Sequence, residues 1–484
     1  MRSWRLVALF VICSALLGAV LVWYSQTYAF TWDEGFHLLA AQLIEHGKKP
    51  YLDFAFAQTP LNAYWNAFLM RIFGENWRVI QAADALTTTA AVVLAADFLR
   101  TRFKPWGAAS LAAVVVLAGA NNKTIIFGTI GQAYAVGLLL TVAAFRLTVA
   151  AVDRDRKTLA GLAGLCAGGA AGSTLLTGPA APVLLAWTIY CSPPGKRLFR
   201  GAAFVAGAGI ALAPLFVLLA QSPTRVIFDV FRYHMFYRRS DWPGATRHDL
   251  EMFAAWIDSP QALTLGILAA AGLWFIARRS GWEPGRRREL YLCGWLSLAL
   301  ALYVSTAHPT FTQYYLFTTP FLSILSAVGL FAASAQLGIK RPLWPTLSVC
   351  LLVSLGLVKE LYDRRDDRSW QDMEAIARKV SEVTPPGAPL SADEHIYFLT
   401  RRTPPSGNEY ISSHKVRLPA AFSEFVHIVP QPEIDRRIAE GDYATLQTCE
   451  DDDWIQDRKL AQLYRQRAHI AECDVFWDWA GGKP

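Results

Sequence analysis

Two adjacent carboxylates, Asp33 and Glu34, follow directly on the apolar run at the start of the chain. Carboxylates are costly in the hydrocarbon of a membrane, so near a span they lie in water or face a site. Either one can be a general base, which takes a proton from a hydroxyl held within hydrogen-bond distance. The alternative is a solvated helix start, where the charge of Asp33 opposes the helix dipole. The residues alone leave both interpretations open.

Two further polar residues belong to the same segment. Asp53 stands among aromatic and apolar neighbours in "PYLDFAFAQTP". It either is partly buried as a second acid lining the same cavity, or caps a turn. His37 shares a helix face with Asp33 and Glu34, but a metal site there would need more ligands. We therefore expect a surface histidine, and no metal.

Cations form a second group of candidate residues. Positive side chains can bind a phosphate, and near a membrane they also contact lipid headgroups. Neither role is favoured for any single residue, but together they make a lipid-phosphate ligand plausible. The substrate-binding candidates are Arg78, Lys123, Arg232 and Arg238.

The late stretch "STAHPTFTQYYLFTTPFL" carries four more candidates. His308, Gln313, Tyr314 and Tyr315 place polar groups where a lipid headgroup would lie. An aromatic belt at the membrane interface explains the same composition equally well.

The elements that position these residues are mostly membrane helices. The chain of 484 residues is 53% hydrophobic, 13% aromatic and only 18% charged, whereas soluble domains carry about a quarter charged residues. The net charge of +7 does not indicate nucleic acid, because the basic residues lie in short loops. About eleven transmembrane helices are predicted from apolar runs of span length, near 5–24, 77–99, 106–120, 130–150, 159–173, 177–191, 201–220, 261–277, 289–306, 314–335 and 343–361.

Lysine and arginine fix the expected orientation. The basic clusters near 2–5, 100–104, 154–157, 196–200, 278–288 and 340–341 all fall on the side of the N-terminus, which the positive-inside rule makes cytoplasmic. We expect an uncleaved first helix in a bacterial cytoplasmic (inner) membrane. An odd number of spans then places the C-terminal region outside, together with the loops 25–76 and 221–260.

The outer segments have helical and strand patterns of their own. "DEGFHLLAAQLIEHG" and "TPLNAYWNAFLMRIFG" have helical spacing and are too short to span, so both are expected to lie along the membrane surface.

We divide the chain into a transmembrane domain, 1–361, and a small extracytoplasmic α/β domain, 362–484. In the latter, "GAPLSADEHIYFLTRR" and "EFVHIVP" predict strands, and "WQDMEAIARKVSEV" and "PEIDRRIAEGDY" predict helices. Cys449 and Cys473 either form a disulfide there or remain reduced thiols.

The spacing of the first outer loop resembles that of the C-class (GT-C) integral-membrane glycosyltransferases. It is most similar to the bacterial relatives of protein O-mannosyltransferases and of the lipid A aminoarabinose transferase, the family 39/83-like group. The late "HPTFTQYYLFTTPFL" is similar to the outer-loop "YxLxxxP" stretch of that family, although His308 and Gln313 stand where a basic residue is common. The residues that carry the resemblance are Asp33-Glu34, Ala41, Gly47, Pro50-Tyr51, Asp53, Pro60-Leu61, Tyr64, Phe73-Gly74 and Arg78.

The resemblance implies an inverting transfer of a sugar from a polyprenyl-phosphate donor to a lipid, glycan or protein acceptor. Asp33 matches the catalytic acid of the family, and Glu34 would orient it or the acceptor. No metal and no cofactor are implied.

Two rival functions have different sequence features. A transporter or flippase of a lipid-linked saccharide would carry repeated halves and acids at mid-membrane, whereas the acids here gather at one face. A membrane-anchored receptor would not need an elaborate first loop.

Overall fold

The structure, a computed structural model, describes residues 3–29, 33–102, 107–238, 244–278, 283–339, 343–450 and 452–481. Several basic residues used for the orientation, Arg2, Lys104, Arg279, Lys340 and Arg341, lie outside these ranges.

Helices dominate the first half of the described chain. They are α1 (Ser3–Ser25), α2 (Asp33–Glu45), α3 (Leu61–Phe73), α4 (Trp77–Arg102), α5 (Gly107–Gly119), α6 (Asn122–Phe127), α7 (Tyr134–Asp153), α8 (Lys157–Ser173), α9 (Ala180–Cys191), α10 (Arg197–Ala211), α11 (Ala213–Gln221), α12 (Pro223–Ile227) and a π-helix (Phe228–Tyr237).

The second half adds further helices and a sheet. The helices are α13 (Ala245–Asp258), α14 (Pro260–Arg278), α15 (Pro284–Ser305), a 3-10 helix (Thr312–Thr318), α16 (Thr319–Gln336), α17 (Leu343–Asp363), α18 (Trp370–Val383), α19 (Glu394–Thr400), α20 (Ala420–Phe425), α21 (Gln431–Ala439), α22 (Asp452–Asp457) and α23 (Leu460–Leu463). The strands are β1 (Leu390–Ser391), β2 (Thr445–Thr448), β3 (Tyr464–Ile470) and β4 (Cys473–Trp479).

Each of the eleven apolar segments predicted as a span is largely helical. Within the described residues, six helical segments are long and apolar enough to cross a membrane: those at Val7–Ser25, Trp77–Arg102, Tyr134–Asp153, Pro260–Arg278, Thr312–Gln336 and Trp344–Asp363. The pair α10 and α11, bent by 58°, gives a seventh if it is one span. Since α5, α8 and α9 have only 13, 17 and 12 residues, the count of eleven spans remains a prediction.

The chain forms two compact units. The first unit holds 1–25, 81–215 and 244–366, and the second holds 26–80, 216–243 and 367–484. The division into domains at 361/362 remains a prediction.

Small residues let helices of the first unit touch backbone to backbone. A Cβ at Gly164 of α8 would lie 1.8 Å from the carbonyl oxygen of Phe204 in α10, and one at Gly207 would lie 2.0 Å from that of Gly161. In α16, a Cβ at Gly329 would lie 1.8 Å from the carbonyl oxygen of Leu268. Such close approach is a typical packing mode of helices in membranes, where no hydrophobic force drives them together.

In the second unit, α2 differs from the surface helix that was predicted. Ten of its thirteen residues are buried, from Glu34 to Leu43. His37, expected at the surface, is also buried, with its ring centroid 6.0 Å from that of Phe56. The prediction was wrong because α2 packs against both α3 and α19, so its polar as well as its apolar side is covered.

The neighbouring helix α3 has one buried and one exposed face, and its position along a membrane surface remains a prediction. Asn62, Ala63 and Asn66 are buried on one face. The opposite face exposes large apolar side chains, which suit a membrane surface. They are Trp65, Phe68, Ile72 and Phe73.

The C-terminal part of the second unit is a four-stranded sheet with helices. The strand order is β1-β2-β4-β3, with β1 parallel to β2 and the other pairs antiparallel. Both predicted helices are present, and Ser369 and Asp372 form a capping box at the start of α18. Of the two stretches predicted as strands, "GAPLSADEHIYFLTRR" contains the short strand β1 but continues as the helix α19 over "EHIYFLT". The strand predicted at "EFVHIVP" was wrong, since this stretch contains the end of α20. Glu394 through Phe398 are all buried. A half-buried strand would instead alternate buried and exposed residues.

Candidate active site

Asp33 lies in the first turn of α2 and is half-buried, while the next residue, Glu34, has no exposed surface. Burial raises the pKa of the Asp33 carboxyl, and the positive charge of Arg238 opposes that rise. A carboxyl with a raised pKa and a nearby cation is a candidate for proton transfer. This site is the strongest candidate for chemistry in the second unit.

Aromatic residues from three chain segments meet beside Asp33. The ring of Tyr410 lies 4.1 Å from that of Phe36 in α2 and 5.9 Å from that of Tyr233 in the π-helix, measured between centroids. The Tyr233 hydroxyl donates to the Ser412 carbonyl at 3.2 Å. Burial is the main cause that raises the pKa of both phenols, and the charge of Asp33 raises it further. Both tyrosines therefore remain neutral hydrogen-bonding groups near neutral pH.

The start of α19 packs tightly on the start of α2. A Cβ at Gly35 would lie 2.7 Å from the backbone nitrogen of His395. The buried carboxyl of Glu394 accepts the backbone N–H of Ile411 at 2.8 Å, which holds the neighbouring Tyr410 in place. The C-terminal region thus supplies a second acid and a phenol to the surroundings of Asp33.

Side chains of the segment 216–243 form hydrogen bonds with the backbone of residues 52–57. The buried Asp229 accepts the Phe56 N–H at 3.5 Å, and the His234 ring shares a hydrogen bond of 2.7 Å with the Ala57 carbonyl. Burial raises the pKa of the Asp229 carboxyl well above its ordinary value, and the Phe56 N–H and the charge of Arg225 partly offset this rise. Arg225 donates to the Leu52 carbonyl at 2.9 Å. These contacts join the segments 26–80 and 216–243 of the second unit.

The other predicted residues of this unit are more exposed. Asp53 is exposed, and its carboxylate accepts the Lys49 N–H at 2.7 Å, so it caps a turn and the alternative of partial burial was wrong. Arg78 lies over the Trp77 ring at 4.4 Å and 3.6 Å from the Glu374 carboxylate. Arg232 is exposed on the π-helix. Of the cations predicted in this unit, Arg238 is the one whose charge acts on Asp33.

Lys123 belongs to a polar cleft in the first unit. Its ammonium donates to the Thr312 hydroxyl at 3.0 Å. Burial lowers the pKa of Lys123, while the Glu360 carboxylate opposes this effect. The cleft is also lined by amide and hydroxyl side chains, by one indole and by three aliphatic side chains, namely Asn121, Asn122, Ser259, Thr318, Thr319, Trp256, Ala262, Leu265 and Leu322. The ammonium of Lys123 is the charged group of this lining.

The late tyrosines form protein contacts rather than an exposed aromatic belt. The buried Tyr315 stacks on Trp256 with centroids 4.0 Å apart, and its hydroxyl lies 2.8 Å from that of Ser305. Tyr314 is buried too, and Gln313 is half-buried.

His308 shares a hydrogen bond with the Asp249 carboxylate. That carboxylate also accepts the Thr310 N–H at 2.7 Å. These contacts hold the turn before the 3-10 helix.

Sequence reasoning missed Tyr233, Tyr410, Glu394 and Asp249. Only "FDVFRYHMFYRRSDWPG", which contains Tyr233, had a recognisable signal, since it mixes aromatic and cationic residues. The other three stand in segments whose relation to the site depends on tertiary folding.

Solved structures with the same fold are known, although no protein-family model and no curated protein matches the chain. ArnT from Cupriavidus metallidurans bound to undecaprenyl phosphate is 15% identical with a TM-score of 0.68, and all of both chains is covered. The Archaeoglobus fulgidus oligosaccharyltransferase is 13% identical with a TM-score of 0.53, over 92% of this chain and 70% of that one. The protein therefore has the fold of the C-class (GT-C) membrane glycosyltransferases.

Proposed function

We propose that the protein is an inverting glycosyltransferase that moves a sugar from a polyprenyl-phosphate donor to an acceptor hydroxyl or phosphate. The reaction would take place at the outer face of a bacterial cytoplasmic membrane. The observation that carries the proposal is the half-buried Asp33 with Arg238, surrounded by three outer segments of a protein with the GT-C fold. The similar structures support a lipid-linked donor, since one is bound to undecaprenyl phosphate and another to a dolichol-phosphate.

In this proposal Asp33 is the general base. It takes the proton of the acceptor hydroxyl while that oxygen forms a bond to the anomeric carbon. The bond from that carbon to the phosphate oxygen breaks at the same time, and polyprenyl phosphate leaves with the electron pair. Attack from the face opposite the leaving group inverts the anomeric configuration. Only the ionised form of Asp33 can accept the proton, and Arg238 favours that form.

The leaving phosphate needs positive charge, because negative charge develops on it in the transition state. Arg238, whose charge acts on Asp33, is the cation that we assign to this role. Lys123 is a separate candidate for binding a phosphate, on the evidence of its surroundings in the first unit. Glu34 is proposed to orient Asp33 or the acceptor. Arg78 and Arg232 are second candidates for the phosphate or for lipid headgroups.

The test is a transfer assay with the purified full chain in detergent. Polyprenyl-phosphate sugars and a panel of lipid, glycan and peptide acceptors are supplied, and the anomeric configuration of the product is determined. Loss of the general base is expected to lower turnover by roughly 10²–10⁴-fold in Asp33→Asn and Asp33→Ala. Glu382→Gln, which changes an exposed acid of α18, is the matched control and should retain activity.

Full transfer in both Asp33 variants would contradict the assigned base. If the protein instead moves intact lipid-linked sugar across vesicle membranes and forms no product, it is a flippase.

A further inference from the structure

A compact group of metal-ligating side chains lies in the C-terminal part of the second unit. One carboxylate oxygen of Asp393, one ring nitrogen of His395 and the sulfur of Cys449 all lie within 4.8 Å of one another. These residues come from the loop after β1, the first turn of α19 and the residue that follows β2. Nothing in the proposed transfer reaction uses them.

The imidazole of His395 provides an independent sign of a ligand. Only 3% of His395 is exposed, yet neither ring nitrogen has a hydrogen-bond partner among the residues that the structure describes. Buried polar groups are normally paired, and leaving one unpaired costs about 1–3 kcal/mol. A buried imidazole with both nitrogens unsatisfied, next to a carboxylate and a sulfur, has the surroundings of a metal ligand.

Second contacts hold the other two groups in place. The Gln447 amide nitrogen donates to the Asp393 carboxylate at 3.0 Å and lies 3.2 Å from the Cys449 sulfur. Its amide oxygen accepts the Asp393 backbone N–H at 2.9 Å. Such outer contacts orient ligands and raise metal affinity.

The Cys449 sulfur is bonded to Cys473 in the structure. A disulfide sulfur carries no thiolate charge, and the thiolate is the form that binds metals. While the disulfide is closed, Asp393 and His395 are two ligands, fewer than a zinc site requires.

We propose that Asp393, His395 and Cys449 form a Zn²⁺ site that becomes available when the Cys449–Cys473 disulfide opens. The set of one sulfur, one imidazole nitrogen and one carboxylate oxygen suits tetrahedral zinc, and Cys473 or water takes the fourth position. The same region is thus crosslinked either by a disulfide or by a metal ion, but not by both.

Opening the site is a two-electron reduction. A dithiol reductant transfers two electrons and two protons, the S–S bond breaks, and the reductant becomes a disulfide while Cys449 and Cys473 become thiols. Zinc then binds the Cys449 thiolate as its proton passes to solvent.

Two serine variants of the full chain separate metal binding from loss of the disulfide. Both Cys473→Ser and Cys449→Ser remove the crosslink, but only the first leaves the Cys449 thiol beside His395 and Asp393. Cobalt(II) is the probe, because thiolate coordination gives it a charge-transfer absorption band. We expect one equivalent of Co²⁺ with this band in Cys473→Ser, displaced by Zn²⁺, and none in Cys449→Ser or in the oxidised wild type.

Loss of the imidazole tests the ligand set itself. Cys473→Ser/His395→Ala should bind Co²⁺ at least about tenfold more weakly than Cys473→Ser. Thermal unfolding with and without Zn²⁺ is a second readout, since a bound metal stabilises the folded state. Wild type reduced with a phosphine should bind Co²⁺ as Cys473→Ser does. In this reduction the disulfide gains two electrons and two protons, and the phosphine takes up the oxygen of a water molecule. Equal binding by the two serine variants, or no thiolate band in Cys473→Ser and in reduced wild type, would overturn the proposal.

Discussion

At the scale of single residues, burial and charge act in opposite directions on the protonation state of Asp33. Burial opposes the ionised form of its carboxyl and raises its pKa, whereas Arg238 favours the ionised form. Its charge also interacts with Tyr233, Tyr410 and Glu394. Burial and the nearby cation thus have opposite effects on one carboxyl, and each can be changed separately.

The first prediction concerns the pH dependence of transfer. A base works only when ionised, so turnover should rise as pH increases through the raised pKa of Asp33 and then level off. Arg238→Gln removes the charge that lowers this pKa, so the rising limb should move to higher pH. The measurement is the pH profile of kcat for wild type and for Arg238→Gln.

A matched control for this profile is Arg378→Gln, which changes an exposed arginine of α18. Its profile should coincide with that of the wild type. A profile of Arg238→Gln that does not move would exclude an effect of Arg238 on the base.

The second prediction concerns Lys123. Lys123→Met keeps much of the side-chain volume but removes the ammonium group. If this ammonium binds the donor phosphate, KM for the lipid donor should rise by roughly 10–100-fold, since a hydrogen bond to a charged group is worth about 1.5–3 kcal/mol. Lys157→Met, an exposed lysine at the start of α8, serves as the control. Equal donor KM in both variants would remove Lys123 from the site.

At the scale of elements, glycine determines how closely α8 and α10 approach. Gly207 and Gly209 stand two positions apart in α10 and face different surroundings. A Cβ at Gly207 would lie 2.0 Å from a backbone oxygen of α8, whereas a Cβ at Gly209 has nothing within 4 Å. The backbone of α8 cannot move aside as a flexible side chain would, so the two positions should respond very differently to the same substitution.

The third prediction follows from that contrast. Gly207→Val should separate the two helices and lower the free energy of unfolding by about 1–3 kcal/mol or more. This is the usual cost of overpacking. Gly209→Val should change stability by less than about 1 kcal/mol. Thermal unfolding in detergent and the monodisperse yield from size-exclusion chromatography measure both variants. Similar losses at the two positions would show that glycine matters there for helix propensity rather than for packing.

At the scale of the whole molecule, the segments 26–80 and 216–243 form one compact unit with the C-terminal region 367–484. Backbone hydrogen bonds join Thr27 and Ala29 to Arg368 and Trp370. The indoles of Trp77 and Trp370 stack with centroids 4.3 Å apart and planes inclined by 11°. The C-terminal region is therefore a structural partner of the segment 26–80, which contains α2.

The fourth prediction tests this partnership. Deletion of 366–484 removes α19 and Tyr410 from α2, so we expect loss of sugar transfer together with faster proteolysis of the first outer loop. Tyr233→Phe/Tyr410→Phe in the full chain is the comparison, because it should lower turnover without exposing that loop. Unchanged acceptor turnover by the deleted chain in membranes would show that the C-terminal region is dispensable.

The sequence alone predicts the positions of the membrane helices. An apolar run of span length must bury its own backbone hydrogen bonds in lipid, and this requirement is local. The acid pair at the start of the first outer loop and the helices α2, α3, α18 and α21 follow from equally local signals, namely periodicity, glycine stops and caps.

Only the tertiary structure decides what surrounds Asp33. Arg238, Tyr410 and Glu394 come from distant parts of the chain, and no local pattern encodes which of them will approach one carboxylate. The burial of α2 has the same origin, because periodicity marks an apolar face but does not say whether a partner covers the polar one. The sequence likewise predicted strands at "GAPLSADEHIYFLTRR" and "EFVHIVP". Only Leu390–Ser391 of the first is a strand, and packing against the rest of the unit selects helix and turn for the remainder. A propensity of a few tenths of a kcal/mol per residue is too small to outweigh the burial of whole side chains.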